Sequence, residues 1–464
     1  MNYFSFLKQV DGLIGNSSSG IHEIPYFKKG TINIGTRQSG RLISKSVINT
    51  EIKKNKMSIV KRRVVNEIQP NDQGILVKDA FKLIENSEFK EVLSSIFDVD
   101  NQLKEFIEVP GAKNLVRELL DLESKIDKVD LDTPLKNVHL NKFTEDGQIS
   151  LQIFEVDDPR LIKKAKSDLL HVETRYSVRS DYLNSLYEAD KFLSYMNRIK
   201  QDAIVDANIK MLESLNKTNG NSKKFRVVVN EDGKFFVRAI TSVKQYKDYN
   251  NRLSLFVALM QLHRLFKTGK HSFKVSSYHF DDSHLRVTFN SNKSFKFLDK
   301  STISFALELS NDEIKREAVK FNGIFAVDLG KKDSLYLKPE AKTSSLVSFP
   351  HNVNLNTAMD YFDNLDEIID DFINSTKDDF KHVKNVKKPD DLRMRLVQII
   401  SRAQTKGVKK YRANIKNLLS NRVGTLFELM ELANVVDDVF EEEDIKVRDF
   451  WRFKLYNVLV TELK

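Results

Sequence analysis

The stretch GLIGNSSSGIHEIPYFKKGTINIGTRQSGR, residues 12–41, sets the character of this chain. Gly12-Leu13-Ile14 is a short apolar run of the kind buried in a parallel sheet, and Gly15-Asn16-Ser17-Ser18-Ser19-Gly20 is a polar turn bounded by glycines. Ile21-His22-Glu23-Ile24 starts a helix; after Pro25, Thr31-Ile32-Asn33-Ile34 is a second apolar run and Gly35-Thr36-Arg37-Gln38 a second turn. Residues 3–14 predict a short helix leading into the first strand. The resulting order, helix, strand, loop, helix, strand, is that of a parallel α/β layer, although two strands make no complete sheet. A serine-rich turn between a strand and a helix suits phosphate, because small residues admit the backbone, hydroxyls donate, and the helix start presents free N–H groups. The competing reading is an ordinary serine helix cap.

Beyond this stretch the chain changes character. A basic run of Lys53, Lys54, Lys56, Lys61, Arg62 and Arg63 surrounds Met57. Helical periodicity dominates from about 75 to 130, a strand pair is predicted around Val138–Leu140 and Ile149–Phe154, and residues 160–216 return to helix. Two hairpins follow: Phe225–Val229 with Phe235–Ile240 across Glu231-Asp232-Gly233, and Phe273–Phe280 with Leu285–Phe289 across Asp281-Asp282-Ser283. Between them Arg252–Phe266 predicts a helix with a broad apolar face. Strands are predicted at Ile303–Leu309 and Ile324–Leu329, and helix from Asn354 to the end. The expected class is α+β: a partial Rossmann-like fragment over 1–56, a mainly helical region over 57–220, a β-rich α+β domain over 221–345 and a helical domain over 346–464.

Length and composition set outer limits. At 464 residues, with 41% hydrophobic and 30% charged residues, the chain has ample material for a folded core, and length alone predicts roughly two to four domains. The absence of cysteine excludes disulfides, thiol nucleophiles and thiolate metal sites, and fits a reducing cytoplasm. No apolar run approaches the ~20 residues of a membrane span, and the N-terminus does not read as a signal peptide, so a cytoplasmic location without membrane partners is expected. The net charge of +10 favours an acidic partner, nucleic acid before membrane.

FLKQVDGLIGNSSSGIHEIPYFKKGTINIGTRQSGR, running on into Ser46-Val47-Ile48-Asn49, resembles the C-terminal domain of hydrolysing UDP-N-acetylglucosamine 2-epimerases over residues 1–52. Gly15-Asn16-Ser17-Ser18, Gly20, Glu23, Pro25, Asn33-Ile34-Gly35, Thr36-Arg37-Gln38 and Gly40-Arg41 match in order. The resemblance implies that Ser18 and Ser19 sit at the diphosphate of UDP, that Glu23 accepts hydrogen bonds from the ribose hydroxyls, and that Arg37 supplies positive charge near the phosphates. The family's acid/base residues lie upstream of the matching segment, so complete epimerase activity is not expected. A remnant of a truncated epimerase fused to a second protein, with Met57 as that protein's original start, is the expectation. A UDP-sugar-binding enzyme or sensor is the alternative, and a helical scaffold a third.

Residues from about 225 to 330, with LSNDEIKREAVKFNGIFAVDL, faintly resemble a phage and plasmid domain family of unknown function, which implies mobile-element ancestry. Among the residues themselves, Arg393, Arg395, Arg402, Lys406, Lys409, Lys410, Arg412, Lys416 and Arg422 concentrate positive charge around Tyr411. Such a stretch is suited to neutralising phosphates, with one aromatic for base stacking; the alternative is pairing with the acidic blocks at 363–371 and 437–444. His279 and His284 flank the Asp281-Asp282-Ser283 turn and read as exposed polar residues at a hairpin end rather than metal ligands, since no third ligand is apparent. Asp157-Asp158 before Pro159 reads as a helix start. No metal and no cofactor is expected.

Overall fold

The computed structural model describes residues 12–15, 30–34 and 47–50 of the first fifty, and from residue 59 onward all but 69, 220, 299, 315–316, 331–333, 341–343, 441–444 and 462–464. The class is α+β. Strands β1 (Gly12–Gly15), β2 (Gly30–Ile34) and β3 (Val47–Thr50) form a three-stranded sheet in that order. Both pairings are parallel, with Gly12 opposite Gly30 and Thr31 opposite Val47. Both strands read from the sequence are present, and a third extends them.

Strand β4 (Arg63–Val65) leads to a small antiparallel pair, β5 (Ile75–Leu76) with β6 (Phe106–Ile107), and to helix α1 (Ala112–Glu123). A six-stranded sheet then combines β7 (Asp127–Pro134), β8 (Val138–Phe143), β9 (Ile149–Ile153), β10 (Leu170–Thr174), β11 (Ser222–Val229) and β12 (Phe235–Thr241), in the order β7-β11-β12-β10-β9-β8. Its pairings are antiparallel except β10 with β12. One face packs on helices through Leu161, Tyr182, Leu193 and Val205, forming a core with Phe225, Val227 and Val237. The helix at Pro159–Ala165 begins as its sequence predicts: the Asp158 side chain accepts from the backbone N–H of Arg160 and Leu161, and proline occupies the first turn.

After helix α2 (Asn251–Lys267) comes the larger sheet, built from β13 (Phe273–Phe280), β14 (His284–Leu298), β15 (Ser301–Asp312), β16 (Val319–Asp328), β17 (Leu335–Leu337) and β18 (Ser345–Phe349). The order is β17-β16-β15-β14-β13-β4, with β18 also on β16, so residues 63–65 close the edge of a sheet made some two hundred residues later. Alternation assigns the faces. Leu285, Val287 and Phe289 of β14 and Phe305, Leu307 and Leu309 of β15 enter the main core. Arg286, Thr288, Asn290, Glu308 and Ser310 fall between them, on the opposite face, and are buried as well.

Helices on either side explain why both faces are covered. Helix α2 is buried almost all round, where a single broad apolar face was expected, because it lies between the sheet and the helices of residues 75–122; Phe256 meets Phe81 and Phe97 edge-on at 6.1 and 5.9 Å. On the same apolar face helix α3 (Leu365–Lys384) stacks Phe372 on Phe325 at 5.4 Å. Helices α4 (Pro389–Arg402), α5 (Lys406–Leu418), α6 (Leu426–Val439) and α7 (Ile445–Val460) complete the helical C-terminal region. The opposite, polar face is covered by α6 and α7, where Arg452 lies over the Tyr336 ring at 4.8 Å. The main core is drawn from residues 75–122 and 249–459 and a second from 129–240, with smaller clusters around Tyr336 and around Tyr176.

Candidate functional site

Between the two large sheets lies a seam of buried charge. Arg226 of β11 and Arg238 of β12 project from the face of the six-stranded sheet opposite its helices, and both are fully buried. Glu313, just beyond β15 and without exposed surface, receives Lys128 Nζ at 3.0 Å and the backbone N–H of Asn251, at the start of α2, at 2.8 Å. It also pairs with Arg238, while Arg226 donates to the Glu313 carbonyl at 2.6 Å and pairs with Asp130 at 2.9 Å and with Asp248. Burial alone disfavours a charged Glu313, but Lys128, Arg238 and Arg226 outweigh it and hold the carboxyl well below the usual glutamate range. The charges of these groups pair with one another, so the seam is a structural joint.

The β13–β14 turn belongs to the same joint, which corrects the expectation of an exposed hairpin end. Asp281, Asp282 and Ser283 are buried, as are His279 and His284. Tyr176, from the segment after β10, donates to Asp282 at 2.7 Å, and Arg238 donates to the Asp282 carbonyl at 2.9 Å. Burial and the neighbouring Asp282 push the Asp281 carboxyl up to about 6. Burial, reinforced by Arg62 and Arg286, pushes His279 down to about 3, so its imidazole is neutral. The two histidine rings lie 5.8 Å apart. Among the described residues no group of three or more histidine, aspartate or glutamate side chains is arranged to hold a metal ion.

The polar face of the larger sheet is a second candidate. Arg286 reaches Asp449 of α7 at 2.7 Å, and Lys338 reaches Glu308 at 2.8 Å and Asp449 at 3.0 Å. Burial opposes ionisation of Asp449, yet Arg286 and Lys338 hold its carboxyl well below the usual range. A cavity of about 410 Å³ opens beside these groups, lined by Lys320, Asn322, Lys338 and Asp449 among others. Deeper, between His279, Arg286, Glu308 and Tyr336, the space is only about 40 Å³, the scale of water rather than of a substrate. Its cations already face carboxylates, so the chemistry is that of a matched polar core with a wet mouth. The sequence signal was the alternation itself: Arg286, Thr288 and Asn290 interleave with core residues of β14, a pattern that reads as solvent-facing until a helix is known to cover it.

Ser18, Ser19, Glu23 and Arg37 lie outside the described residues. The strands that precede them are described: the segment holding Ser18, Ser19 and Glu23 leaves from the carboxyl end of β1, and the one holding Arg37 leaves from the carboxyl end of β2. Gly15 and Asn33 are paired in register, so the carboxyl ends of β1 and β2 lie at the same end of the sheet.

The basic stretch divides between α4 and α5. Arg393 is buried, pairs with Asp390 at 2.6 Å and donates to the Leu419 carbonyl. Arg412 is half-buried and donates to the carbonyls of Ile400 and Ala403 at the end of α4. Arg395 is half-buried and donates to the Thr461 carbonyl at 3.1 Å. Arg402, Lys409, Lys410 and Lys416 are exposed, Lys406 begins α5, and Tyr411 packs edge-on against Phe440 at 6.1 Å with Lys410 over its ring. The acidic block that begins in the last turn of α6 does not neutralise them through Asp437, which is taken by Arg448 at 2.7 Å and Arg452 at 2.8 Å.

Comparison with known proteins gives a partial relationship. No family model matches the chain, and no solved structure matches it. It is 39% identical over 89 residues to a Campylobacter jejuni GDP/UDP-N,N'-diacetylbacillosamine 2-epimerase (hydrolyzing), covering 19% of this chain and 17% of that protein. It is 52% identical over 54 residues to the Escherichia coli polysialic acid biosynthesis protein P7, covering 12% and 14% of the two chains. It is 43% identical over 49 residues to a Neisseria meningitidis UDP-N-acetylglucosamine 2-epimerase, covering 11% and 13%. Among the described residues no helix is long and apolar enough to cross a membrane. The resemblance to UDP-N-acetylglucosamine 2-epimerases therefore holds for a small part of the chain, which spans no more than 17% of the length of these curated relatives.

Proposed function

We propose that the N-terminal segment binds UDP or a UDP-sugar, with Ser18 and Ser19 at the diphosphate, Glu23 on the ribose and Arg37 beside the phosphates. The observation that carries this reading is the parallel, in-register pairing of β1 and β2, which puts the carboxyl ends of the two strands that precede the motif at one end of the sheet. Parallel α/β sheets bind their ligands at the carboxyl ends of their strands, where a serine turn and a helix start can receive phosphate. The relatives' names, a UDP-N-acetylglucosamine 2-epimerase and a GDP/UDP-sugar 2-epimerase, support a nucleoside-diphosphate sugar as the ligand class. Calorimetry with UDP, UDP-N-acetylglucosamine and uridine tests it: the two diphosphates bind, uridine binds at least tenfold more weakly, and Ser18→Ala with Glu23→Ala weakens UDP. Absence of UDP binding at millimolar concentration, or binding indifferent to both substitutions, refutes it.

A second reading, binding of nucleic acid, draws on the exposed cations of α4 and α5. Arg402, Lys409, Lys410 and Lys416 face solvent, whereas Arg393 and Arg412 are engaged with carbonyls of their own fold. Joint replacement of the four exposed residues by alanine is expected to weaken binding to a labelled oligonucleotide and to flatten its salt dependence. No binding at about 0.05 M salt, where phosphate contacts are strong, removes this reading.

A further inference from the structure

The far half of β14 carries Phe295-Lys296-Phe297, and the two phenylalanines differ sharply: Phe297 is 3% exposed and Phe295 is 61% exposed. Between this part of the sheet and α3 is a cavity of about 200 Å³. Its walls are hydrocarbon, from Phe297, Ile303, Phe305, Phe325, Ile373 and Phe380. The rings stand edge to face, Phe380 against Phe325 at 4.7 Å and against Phe297 at 5.6 Å. Four lysines, Lys296, Lys377, Lys381 and Lys384, line the same cavity and are exposed. Three of them, Lys377, Lys381 and Lys384, follow the i, i+4, i+7 spacing of one face of α3.

Size, lining and charge together select the ligand. A dry cavity of ~150 Å³ lined by aliphatic and aromatic side chains accepts benzene, so this one has room for one ring and a short substituent. Phenyl edges and faces favour an aromatic guest through offset and edge-on contacts. A nucleobase or sugar is disfavoured, because the Thr376 hydroxyl is already bonded to the carbonyls of Phe372 and Ile373, and buried polar edges would go unpaired. The lysines at the rim call for an anion. Among the described residues, Lys381 meets the Asp378 carboxylate at 2.8 Å, and both members of that pair are more than 70% exposed, which makes it weak.

We propose that this cavity is a binding site for an arylalkanoate, with the single ring held among the phenylalanines and the carboxylate at the rim lysines. The full chain is titrated with 4-phenylbutanoate, 4-phenyl-1-butanol and 4-phenyl-1-butylamine, followed by calorimetry and saturation-transfer NMR. The carboxylate binds, the alcohol binds several-fold more weakly, and the amine binds at least tenfold more weakly than the carboxylate, with the preference falling as salt is raised. Lys381→Glu with Lys384→Glu, both on the exposed rim, lowers carboxylate affinity about tenfold and leaves the alcohol unchanged. Ile373→Trp, which puts an indole into the cavity, removes binding of all three. Equal affinity for carboxylate and amine, no carboxylate binding at millimolar concentration, or binding that survives Ile373→Trp in a protein with unchanged circular dichroism each overturns the proposal.

Discussion

Replacing Glu313 by glutamine tests the buried seam most directly. The carboxylate is fully enclosed and receives Lys128 Nζ, Arg238 Nη1 and the backbone N–H of Asn251. Glutamine keeps the volume but withdraws the charge and turns an amide N–H₂ toward a cation. Lys128 retains Glu123 at 2.6 Å and Arg226 retains Asp130 and Asp248, whereas Arg238 keeps only the Asp282 carbonyl. Breaking one side of a buried ion pair typically costs about 3–5 kcal/mol, and the single stranded arginine places Glu313→Gln in that range.

The pH dependence carries a definite sign. Because the folded protein holds Glu313 below its ordinary value, the unfolded chain takes up a proton first as pH falls. The stabilisation is complete above roughly pH 5, beyond the unfolded glutamate value of ~4.3, and is lost progressively on acidification. Urea unfolding monitored by circular dichroism at pH 7, 5 and 3 should show the gap between wild type and variant shrinking toward pH 3. A double-mutant cycle with Arg238→Met should give a coupling of at least ~1 kcal/mol. A loss below about 1 kcal/mol, a gap that does not change with pH, or additive single changes would show that the seam does not hold the sheets together in this way.

Two further substitutions probe the packing on either side. At Gly323 in β16 an added Cβ would sit 2.6 Å from Phe372, whose ring is pinned between Phe305 and Phe325, so Gly323→Ala should cost about 1–3 kcal/mol by calorimetry, with Phe372→Leu recovering part of the loss. Asp281 acts opposite to Glu313: its folded carboxyl is raised to about 6, so the folded state binds the proton more tightly and stability falls as pH rises from ~4 to ~6. Asp281→Asn should flatten that decline, and an unchanged slope over the same window would count against a strained carboxyl there.

Much of the architecture was legible along the chain. Both hairpins, the strand pair before them and the Asp158 cap are local events, fixed by alternation and turn chemistry within a dozen residues. In the first segment, the two apolar runs at Leu13 and Ile32 pair in parallel as read. What escaped is non-local. Nothing in the sequence around Glu313 announces that Lys128 and Arg238 will surround it, and nothing near His279 announces that Tyr176 and Arg238 will close over the adjoining turn. A hairpin end defaults to solvent unless another sheet covers it. Likewise a run of lysines and arginines does not reveal which members will serve as carbonyl partners; Arg393 and Arg412 do so because helix ends fall within their reach.

The covered polar face of the larger sheet has a consequence for how this protein fails. In most α/β layers, peeling away a packed helix bares a greasy surface that clings to the next molecule. Here, lifting α7 from the sheet would present water with arginine, lysine, threonine, asparagine and glutamate, a surface that solvent can wet at once. Apolar surface bared by such an opening would come from α7 itself, whose Trp451, Leu455 and Leu459 sit in the main core, and from the helices it packs on, rather than from the sheet.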